Sequence, residues 1–286
     1  MDKMSIAFPN LNIYLDYVPK SFTIGGFTIA LYGVIIAIGV LAGFTVANAD
    51  ANRQALERDI CWDFALPAIV FSVVGARMYY VAFRWEDYAN DLKSILNIRQ
   101  GGIAIYGAVI GGFLALLIFS KVKRVNFLRM ADSCCLGLLL GQAIGRWGNF
   151  TNREVFGEYT DGLFAMRIPV EMVRASDISV SIASHLTVGI NYIQVHPTFL
   201  YESALNLVLF FLLWKYSRKK KFAGEIAVLY LGGYGIIRFF IEGIRTDQLL
   251  LPGIGLPVSQ MLGLVCFILA FAIEALVRVL MLQKNS

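Results

Sequence analysis

The sequence predicts an all-α polytopic membrane protein, with seven transmembrane helices and a small extracytoplasmic head of mixed structure between helices four and five. Of 286 residues, 58% are hydrophobic and only 16% are charged. The mean hydropathy of +0.66 lies above that of soluble domains. Seven apolar runs approach the length of about 20 residues that crosses a bilayer. The polar stretch from Arg146 to His196 separates the fourth run from the fifth.

The apolar runs are predicted to be helices, because in lipid every backbone N–H and C=O group needs a partner within the protein. They cover residues 23–47, 62–83, 102–120, 130–147, 197–216, 223–243 and 258–282. This predicts an N-terminal membrane part (1–145), the head (146–196) and a C-terminal membrane part (197–286).

Lysines and arginines collect after the first, third, fifth and seventh runs. If the spans alternate, all of these connections lie on one side, which is then cytoplasmic. The N-terminus and the head are therefore predicted to be extracytoplasmic. The formal net charge of +5 is accounted for by basic loops that face anionic lipid, and nothing predicts nucleic-acid binding. The first twenty residues lack the pattern of a cleavable signal peptide.

Within the head, the segment "SVSIASHLTVGINYIQVHP" partly alternates apolar and polar residues and is rich in Val, Ile and Thr. This pattern predicts short strands that are separated by a turn near residues 189–191. The chain has four cysteines and two histidines, without a Cys-x-x-Cys motif. We therefore predict no metal site and no organic cofactor.

The sixth apolar run contains Tyr234, Arg238 and Glu242 at four-residue spacing, which places them on one helix face. Charged side chains within a span are costly and normally face the protein interior or a wet cavity, so they are functional candidates. Alternatively, Arg238 and Glu242 are an ion pair that only ties helices together.

A second arginine, Arg146, stands at the outer end of span four in "GQAIGRWGNFTNREVFGE". The neighbouring candidates are Asn149, Asn152, Glu154 and Gly157. The alternative is a polar loop that leaves the membrane beside an interfacial tryptophan. Arg146 and Arg238 are predicted at the same depth. Two guanidiniums that share a cavity repel unless an anion lies between them, and the phosphate of a lipid head group matches their geometry.

Four further residues at predicted outer helix ends are weaker candidates for substrate contact or catalysis. They are Tyr32, Arg77, Tyr106 and His196. Interfacial tyrosines are common as membrane anchors. His196 precedes a proline, so it could simply open span five.

These motifs, together with "LYG", "GGIAIYGAVIGG" and "HPTFLYE", resemble the prolipoprotein diacylglyceryl transferases of bacterial cell membranes. The resemblance covers nearly the whole chain. It implies transfer of the diacylglyceryl group of phosphatidylglycerol to the thiol of a lipobox cysteine in a prolipoprotein, which leaves a thioether and glycerol phosphate. The partners that it implies are phosphatidylglycerol, lipobox peptides and the lipid bilayer.

By motif position, the resemblance makes Arg146 and Arg238 the essential arginines. The supporting family positions are Tyr32, Asn149, Glu154, Gly157, Tyr234 and Glu242. Many relatives have histidine where this sequence has Tyr106. If that histidine acts as a base in those proteins, either Tyr106 takes over the role here or the role is not required.

The chemistry agrees with this implication, because fixed cations stabilise the negative charge that develops on a departing phosphate. A nearby guanidinium would also raise the thiolate fraction of the attacking cysteine. Tyr106 or Tyr234 could accept the thiol proton only with a pKa well below about 10.

Two other functions compete with this one. A transporter or flippase for an anionic lipid or solute would use the arginines as a binding site, although transporter sites usually lie near the midplane. An intramembrane hydrolase or protease ranks lower, because no nucleophile or metal motif is evident.

Overall fold

A computed structural model describes residues 5–98, 101–186, 189, 191–251 and 253–285. Its helices are α1 (Leu31–Arg53), α2 (Ile60–Phe83), α3 (Trp85–Tyr88), α4 (Ile105–Lys123), α5 (Phe127–Asn152), α6 (Val180–Ser184), α7 (Thr198–Tyr216), α8 (Glu225–Ile244) and α9 (Val258–Asn285). Its strands are β1 (Ile6–Phe8), β2 (Ile13–Leu15), β3 (Ser21–Ile24), β4 (Phe27–Ala30), β5 (Met166–Pro169) and β6 (Tyr192–Val195).

The predicted fold class is confirmed. Seven of the described helices, all except α3 and α6, are long and apolar enough to cross a membrane. The prediction of the first span was wrong at its start, because residues 21–30 form the antiparallel pair β3–β4 rather than helix. The predicted fourth span, 130–147, continues to Asn152. Arg146 and the two asparagines that follow it are therefore helical.

The described residues form two compact units, Met1–Gly43 with Leu138–Ser286, and Phe44–Gly137. Glycines allow close helix contact within each unit. In the first, a Cβ atom on Gly235 of α8 would lie 2.5 Å from the carbonyl oxygen of Gly263 on α9. In the second, a Cβ atom on Gly75 of α2 would lie 2.5 Å from the carbonyl oxygen of Gly107 on α4.

The head contains a four-stranded antiparallel sheet with the order β2-β1-β5-β6. Its two central strands come from distant parts of the chain, since Ala7 pairs with Arg167. The apolar core of the head includes Ile6, Phe156, Ile168 and Ile193, which are all fully or almost fully buried. The N-terminal segment is therefore part of the head, whereas the head was predicted to consist of residues 146–196 alone.

The predicted strands of the head are only partly correct. The end of the segment forms β6 as expected, but residues 180–184 form the short helix α6. Ser179 explains this difference, since its hydroxyl oxygen accepts a hydrogen bond from the N–H of Ile182 and caps the helix. The predicted turn includes Ile190, which lies outside the described residues.

Arg153 joins the N-terminal segment to the end of α5. It is buried, and its guanidinium donates hydrogen bonds to the hydroxyl of Ser5 and to the carbonyl oxygens of Val18 and Thr151. Burial lowers the pKa of Arg153. These contacts require the segment before α1 and the segment after α5 to lie on the same side of the membrane. The four spans between them satisfy that requirement.

Candidate functional site

The centre of the candidate site is the carboxylate of Glu202 on α7, whose side chain is only 1% exposed. Its Oε1 atom lies 2.6 Å from Nη2 of Arg146. Its Oε2 atom lies 3.3 Å from Nη1 of Arg238. A buried carboxylate is costly unless it is paired and hydrogen-bonded. Glu202 meets both conditions by bridging two guanidiniums from α5 and α8.

The three predicted residues of α8 lie along this network. The hydroxyl of Tyr234 donates to Oε1 of Glu202 over 3.3 Å. Arg238 forms a second ion pair with Glu242, one turn further along the same helix. Arg238 therefore bridges two carboxylates, and the spacing of four residues serves both the ion pair and the shared helix face.

The network continues beyond the end of α8. Nη1 of Arg245 lies 3.7 Å from Oε2 of Glu242. Arg245 also binds Asp247 through two hydrogen bonds, from Nε over 2.9 Å and from Nη2 over 2.7 Å. Burial opposes the charge on Asp247, but these contacts with Arg245 outweigh it and lower the pKa of Asp247. The side-chain amide of Gln248 donates to the carbonyl oxygen of Glu242 over 2.6 Å.

On the other side of Glu202, Arg146 connects to the polar end of α5. Its Nη1 group donates to Oδ1 of Asn149 over 3.4 Å. The amides of Asn149 and Asn152 each donate to Oε1 of Glu154 over 3.2 Å. Two consecutive turns of α5 thus hold the same carboxylate oxygen. These four sequence candidates form one continuous set of contacts with Arg146 as its link to Glu202.

Gly157 lies at a tight crossing of three segments. Its N–H donates to the carbonyl oxygen of His196 over 3.0 Å, and it forms an isolated antiparallel bridge with Arg245. A Cβ atom at this position would lie 2.7 Å from the carbonyl oxygen of Ile244 and 2.9 Å from Cβ of His196. Only glycine fits without displacing backbone, so Gly157 fixes the end of α8 against the segment that leads into α7.

His196 and Tyr32 lie at the borders of the network. Nδ1 of His196 is 3.3 Å from the hydroxyl oxygen of Tyr201, and burial lowers the pKa of His196. Tyr32, near the start of α1, packs over Gly148 of α5, where a Cβ atom would meet the tyrosine ring at 2.7 Å. Gly148 precedes Asn149, so Tyr32 lies beside the same turn of α5.

Arg77 and Tyr106 belong to the second unit. Arg77 is buried, and its three nitrogen atoms donate to five carbonyl oxygens. The acceptors are Ser94, Ile95, Asn97, Gly101 and Gly102. These contacts match the five N–H donors of a guanidinium and organise the connection between α2 and α4. The ring of Tyr106 lies 6.3 Å from that of Tyr79, centroid to centroid.

Sequence reasoning missed four members of the network, which are Glu202, Arg245, Asp247 and Gln248. A signal for Glu202 was present, since it is an acidic residue within a predicted apolar span and falls under the same rule that selected Arg238. Arg245, Asp247 and Gln248 follow the end of a span, where charged and polar side chains are ordinary, so the sequence gives them no comparable signal. Within the described residues, no group of three or more His, Cys, Asp or Glu side chains could hold a metal ion.

The chain is similar to known proteins over most of its length. A family model for prolipoprotein diacylglyceryl transferase matches residues 19–276. Three relatives carry the name phosphatidylglycerol–prolipoprotein diacylglyceryl transferase. The protein of Clostridioides difficile is 39% identical over 245 residues, which cover 86% of this chain and 89% of the relative. That of Listeria welshimeri is 39% identical over 257 residues, with 89% and 88% covered. That of Nostoc sp. is 38% identical over 273 residues, with 93% and 92% covered.

Proposed function

This chain belongs to the prolipoprotein diacylglyceryl transferase family, and we propose that it transfers the diacylglyceryl group of phosphatidylglycerol to the lipobox cysteine of prolipoproteins. The cysteine sulfur forms a bond with a glyceryl carbon, and the bond between that carbon and the phosphate oxygen breaks. The products are a thioether on the prolipoprotein and free glycerol phosphate. The thiol proton leaves to an acceptor or to solvent.

The observation that carries the residue assignment is the convergence of Arg146 and Arg238 on Glu202. Glu202 holds both guanidiniums in fixed positions, so little reorganisation is needed when charge develops on a substrate. Both arginines retain a small exposed fraction, 20% for Arg146 and 13% for Arg238. Their contacts within the described part of the chain leave N–H donors available for a phosphate.

The charge movement of the reaction favours this arrangement. The reacting thiolate carries one negative charge and the phosphodiester another, whereas the departing phosphate monoester approaches two charges at neutral pH. Charge therefore moves from sulfur to the phosphate oxygens as the bond breaks. Cations fixed around those oxygens gain interaction energy in the transition state relative to the bound substrate, which is the condition for raising the rate.

The remaining residues of the network have supporting roles in this proposal. Glu242 orients Arg238, and Asn149, Asn152 and Glu154 orient Arg146. Tyr32, Gly157 and His196 shape the surroundings of these groups. Arg77 supports the connection between α2 and α4 rather than the phosphate, because its five contacts with carbonyl oxygens use its donors.

We propose the same orientation for the protein that the basic loops predict, with the head and the N-terminus outside the cell and the C-terminus inside. The chain is a multi-pass membrane protein, and we place it in the bacterial cell membrane. The arginine network lies at the ends of α5 and α8 that lead into the head and the final connection. The proposed orientation therefore exposes it to the outer leaflet, where a secreted prolipoprotein would present its cysteine.

The test uses purified protein in detergent with phosphatidylglycerol and a synthetic lipobox peptide. Peptide mass and glycerol phosphate release are followed for the wild type, Arg238→Gln and Arg278→Gln. Arg278 is a matched control, since it also pairs with a buried glutamate, Glu225, but near the opposite end of α8. We expect Arg238→Gln to lower both signals by roughly 100-fold or more, and Arg278→Gln to retain most of them.

Two results would contradict this proposal in different ways. Folded wild-type protein that binds phosphatidylglycerol but forms neither product would argue against diacylglyceryl transfer. Full transfer by Arg238→Gln would leave the reaction in place and remove Arg238 from it.

A further inference from the structure

The hairpin β3–β4 has two chemically different faces. Gly25 and Gly26 form its turn with positive φ angles of 56° and 84°, as expected for a two-residue turn that matches the twist of the strands. Phe22 pairs with Ile29, and Ile24 pairs with Phe27. Since paired residues share a face and neighbours alternate, these four side chains form one apolar face. The opposite face carries Ser21, Thr23, Thr28 and Ala30.

The apolar face of the hairpin is exposed. Phe27 is 78% exposed, Ile24 62%, and Phe22 and Ile29 are each 38% exposed. On the opposite face, the hydroxyls of Thr23 and Thr28 lie 3.3 Å apart and share a hydrogen bond. A lone two-stranded hairpin is at best marginally stable in water. A contiguous apolar surface on it therefore indicates a partner that is itself apolar.

The chain around the hairpin points to lipid as that partner. Residues 21–49 contain no charged side chain, and the run ends at Lys20 on one side and at Asp50 on the other. The hairpin takes the first ten residues of this run and α1 takes the rest. Strand β4 ends at Ala30 and α1 begins at Leu31, without an intervening residue. The apolar face is thus continuous in sequence with a membrane-spanning helix.

The base of the hairpin is closed at the same point. The N–H of Leu31, the first residue of α1, donates to the carbonyl oxygen of Lys20 over 2.9 Å. The side chain of Lys20 donates to the carbonyl oxygen of Met172 in the head over 3.4 Å. The hairpin therefore starts at the junction between the head and the first span.

We propose that the β3–β4 hairpin inserts its apolar face into the lipid leaflet on the head's side of the membrane. Phe22, Ile24, Phe27 and Ile29 contact acyl chains, while the threonine face points to head groups and water. The hairpin extends the lipid-contacting surface of the protein beyond the start of α1. It thereby anchors the turn of α1 that carries Tyr32. This proposal depends on the membrane location of the chain and not on the transfer reaction.

Neighbouring residues on opposite faces provide the test. Phe27→Cys and Thr28→Cys are each labelled with an environment-sensitive fluorophore and placed in lipid nanodiscs that contain phosphatidylcholine and phosphatidylglycerol. Wild-type protein, which has four free cysteines of its own, measures background labelling. Quenching is compared for lipids brominated in the acyl chains and for iodide in the aqueous phase. An unchanged elution volume and an unchanged temperature of unfolding show that both variants are folded.

We expect the label at position 27 to emit at shorter wavelength and to be quenched severalfold more strongly by brominated lipid than the label at position 28. Iodide should show the reverse order. Equal iodide quenching at both positions would overturn the proposal, since it would place the apolar face in water. A label at position 27 that neither quencher reaches would also overturn it, because protein rather than lipid would then cover the face.

Discussion

Glu202 Oε1 lies 2.6 Å from Arg146 Nη2, although the two residues belong to different membrane-spanning helices. The same carboxylate also binds Arg238. The repulsion between the two arginines is therefore relieved by a side chain of the protein itself. A substrate phosphate is not needed to hold the guanidiniums together, and it meets a site that is already assembled.

Replacement of Glu202 should show whether transfer activity needs the negative charge of this side chain or only its buried shape. Glu202→Gln keeps the shape of the side chain but leaves two buried guanidiniums without their shared counter-charge. We expect transfer activity to fall by roughly 100-fold. The measurement is glycerol phosphate release at saturating phosphatidylglycerol.

Glu225→Gln is the matched control for this change. Glu225 is also fully buried and pairs with an arginine, Arg278, and it accepts a hydrogen bond from Tyr216. Both variants should lower the temperature of unfolding in detergent, but only Glu202→Gln should lower the activity of the folded protein. Equal activity in the two variants would show that Glu202 acts through stability alone.

The pH dependence of the rate can show whether Tyr106 or Tyr234 accepts the thiol proton. The hydroxyl of Tyr234 donates a hydrogen bond to Glu202, so it acts there as a hydrogen-bond donor and not as a base. We expect Tyr234→Phe to lower the rate about tenfold, the effect of losing one hydrogen bond to a charged group, without moving the pH at which the rate rises. If Tyr106 accepts the thiol proton, Tyr106→Phe should shift that pH.

The matching measurement is the pH–rate profile of wild type, Tyr106→Phe and Tyr234→Phe with the same lipobox peptide. A profile that neither change moves would remove both tyrosines as proton acceptors. A profile that Tyr234→Phe moves would contradict the donor role that its contact with Glu202 indicates.

Gly157 should not tolerate a side chain. In Gly157→Ala, the new Cβ atom would lie 2.7 Å from the carbonyl oxygen of Ile244, and backbone on one side must move. Overpacking of this kind costs about 1–3 kcal/mol. We expect lower thermal stability and a large loss of activity, because the crossing of Gly157 with the end of α8 holds Glu242 and Arg245 in place.

Gly33→Ala in α1 is the control for Gly157→Ala. Within the described residues, nothing lies within 4 Å of a Cβ atom at Gly33, and alanine is the better helix former by about 1 kcal/mol. Stability and activity should therefore be kept or slightly raised. If Gly157→Ala also kept its stability and activity, the close crossing at Gly157 would not be needed for either.

Stability should depend on pH through His196. Burial lowers the pKa of His196 in the folded protein, whereas the unfolded chain has a value of about 6.5. Between the two values the unfolded state binds more protons, so stability rises with pH through this window. The contribution of His196 is fully present above about pH 6.5 and is lost as the pH falls through the folded pKa.

The measurement is the temperature of unfolding between neutral pH and pH 5 for wild type, His196→Asn and His185→Asn. His196→Asn should have the flatter pH dependence. His185, the other histidine of the chain, controls for the loss of an imidazole from the head. An unchanged slope in His196→Asn would contradict the prediction.

Composition was sufficient to predict the number of spans, because burial in lipid imposes a strong and local constraint on sequence, whereas the family was predicted from the resemblance of its motifs. Composition and periodicity placed the start of α1 incorrectly, since an amphipathic hairpin beside a span has nearly the composition of the span itself. They also failed at α6, where one capping serine decides between helix and strand in a segment that favours neither strongly.

The site residues were predictable where a charged side chain lies within an otherwise apolar segment. Arg146, Arg238 and Glu242 were found in this way, and Glu202 obeyed the same rule without being selected. An anion between the arginines was expected on electrostatic grounds and was predicted to be a lipid phosphate, whereas the structure has the carboxylate of Glu202 in contact with both. Which carboxylate from a third helix reaches them depends on tertiary packing that a single sequence does not encode locally. The catalytic roles themselves stay predictions.

The position of β1 in the centre of the head sheet constrains the order of biogenesis. Its pairing partner, Arg167 on β5, is synthesised 160 residues after Ala7, and four membrane-spanning helices lie between them. A nascent chain must insert those helices before the sheet can close. Until then, β1 can pair with β2 but lacks its other neighbour in the sheet, β5. Fusion of a bulky domain to the N-terminus would therefore slow maturation of the head more than fusion to the C-terminus.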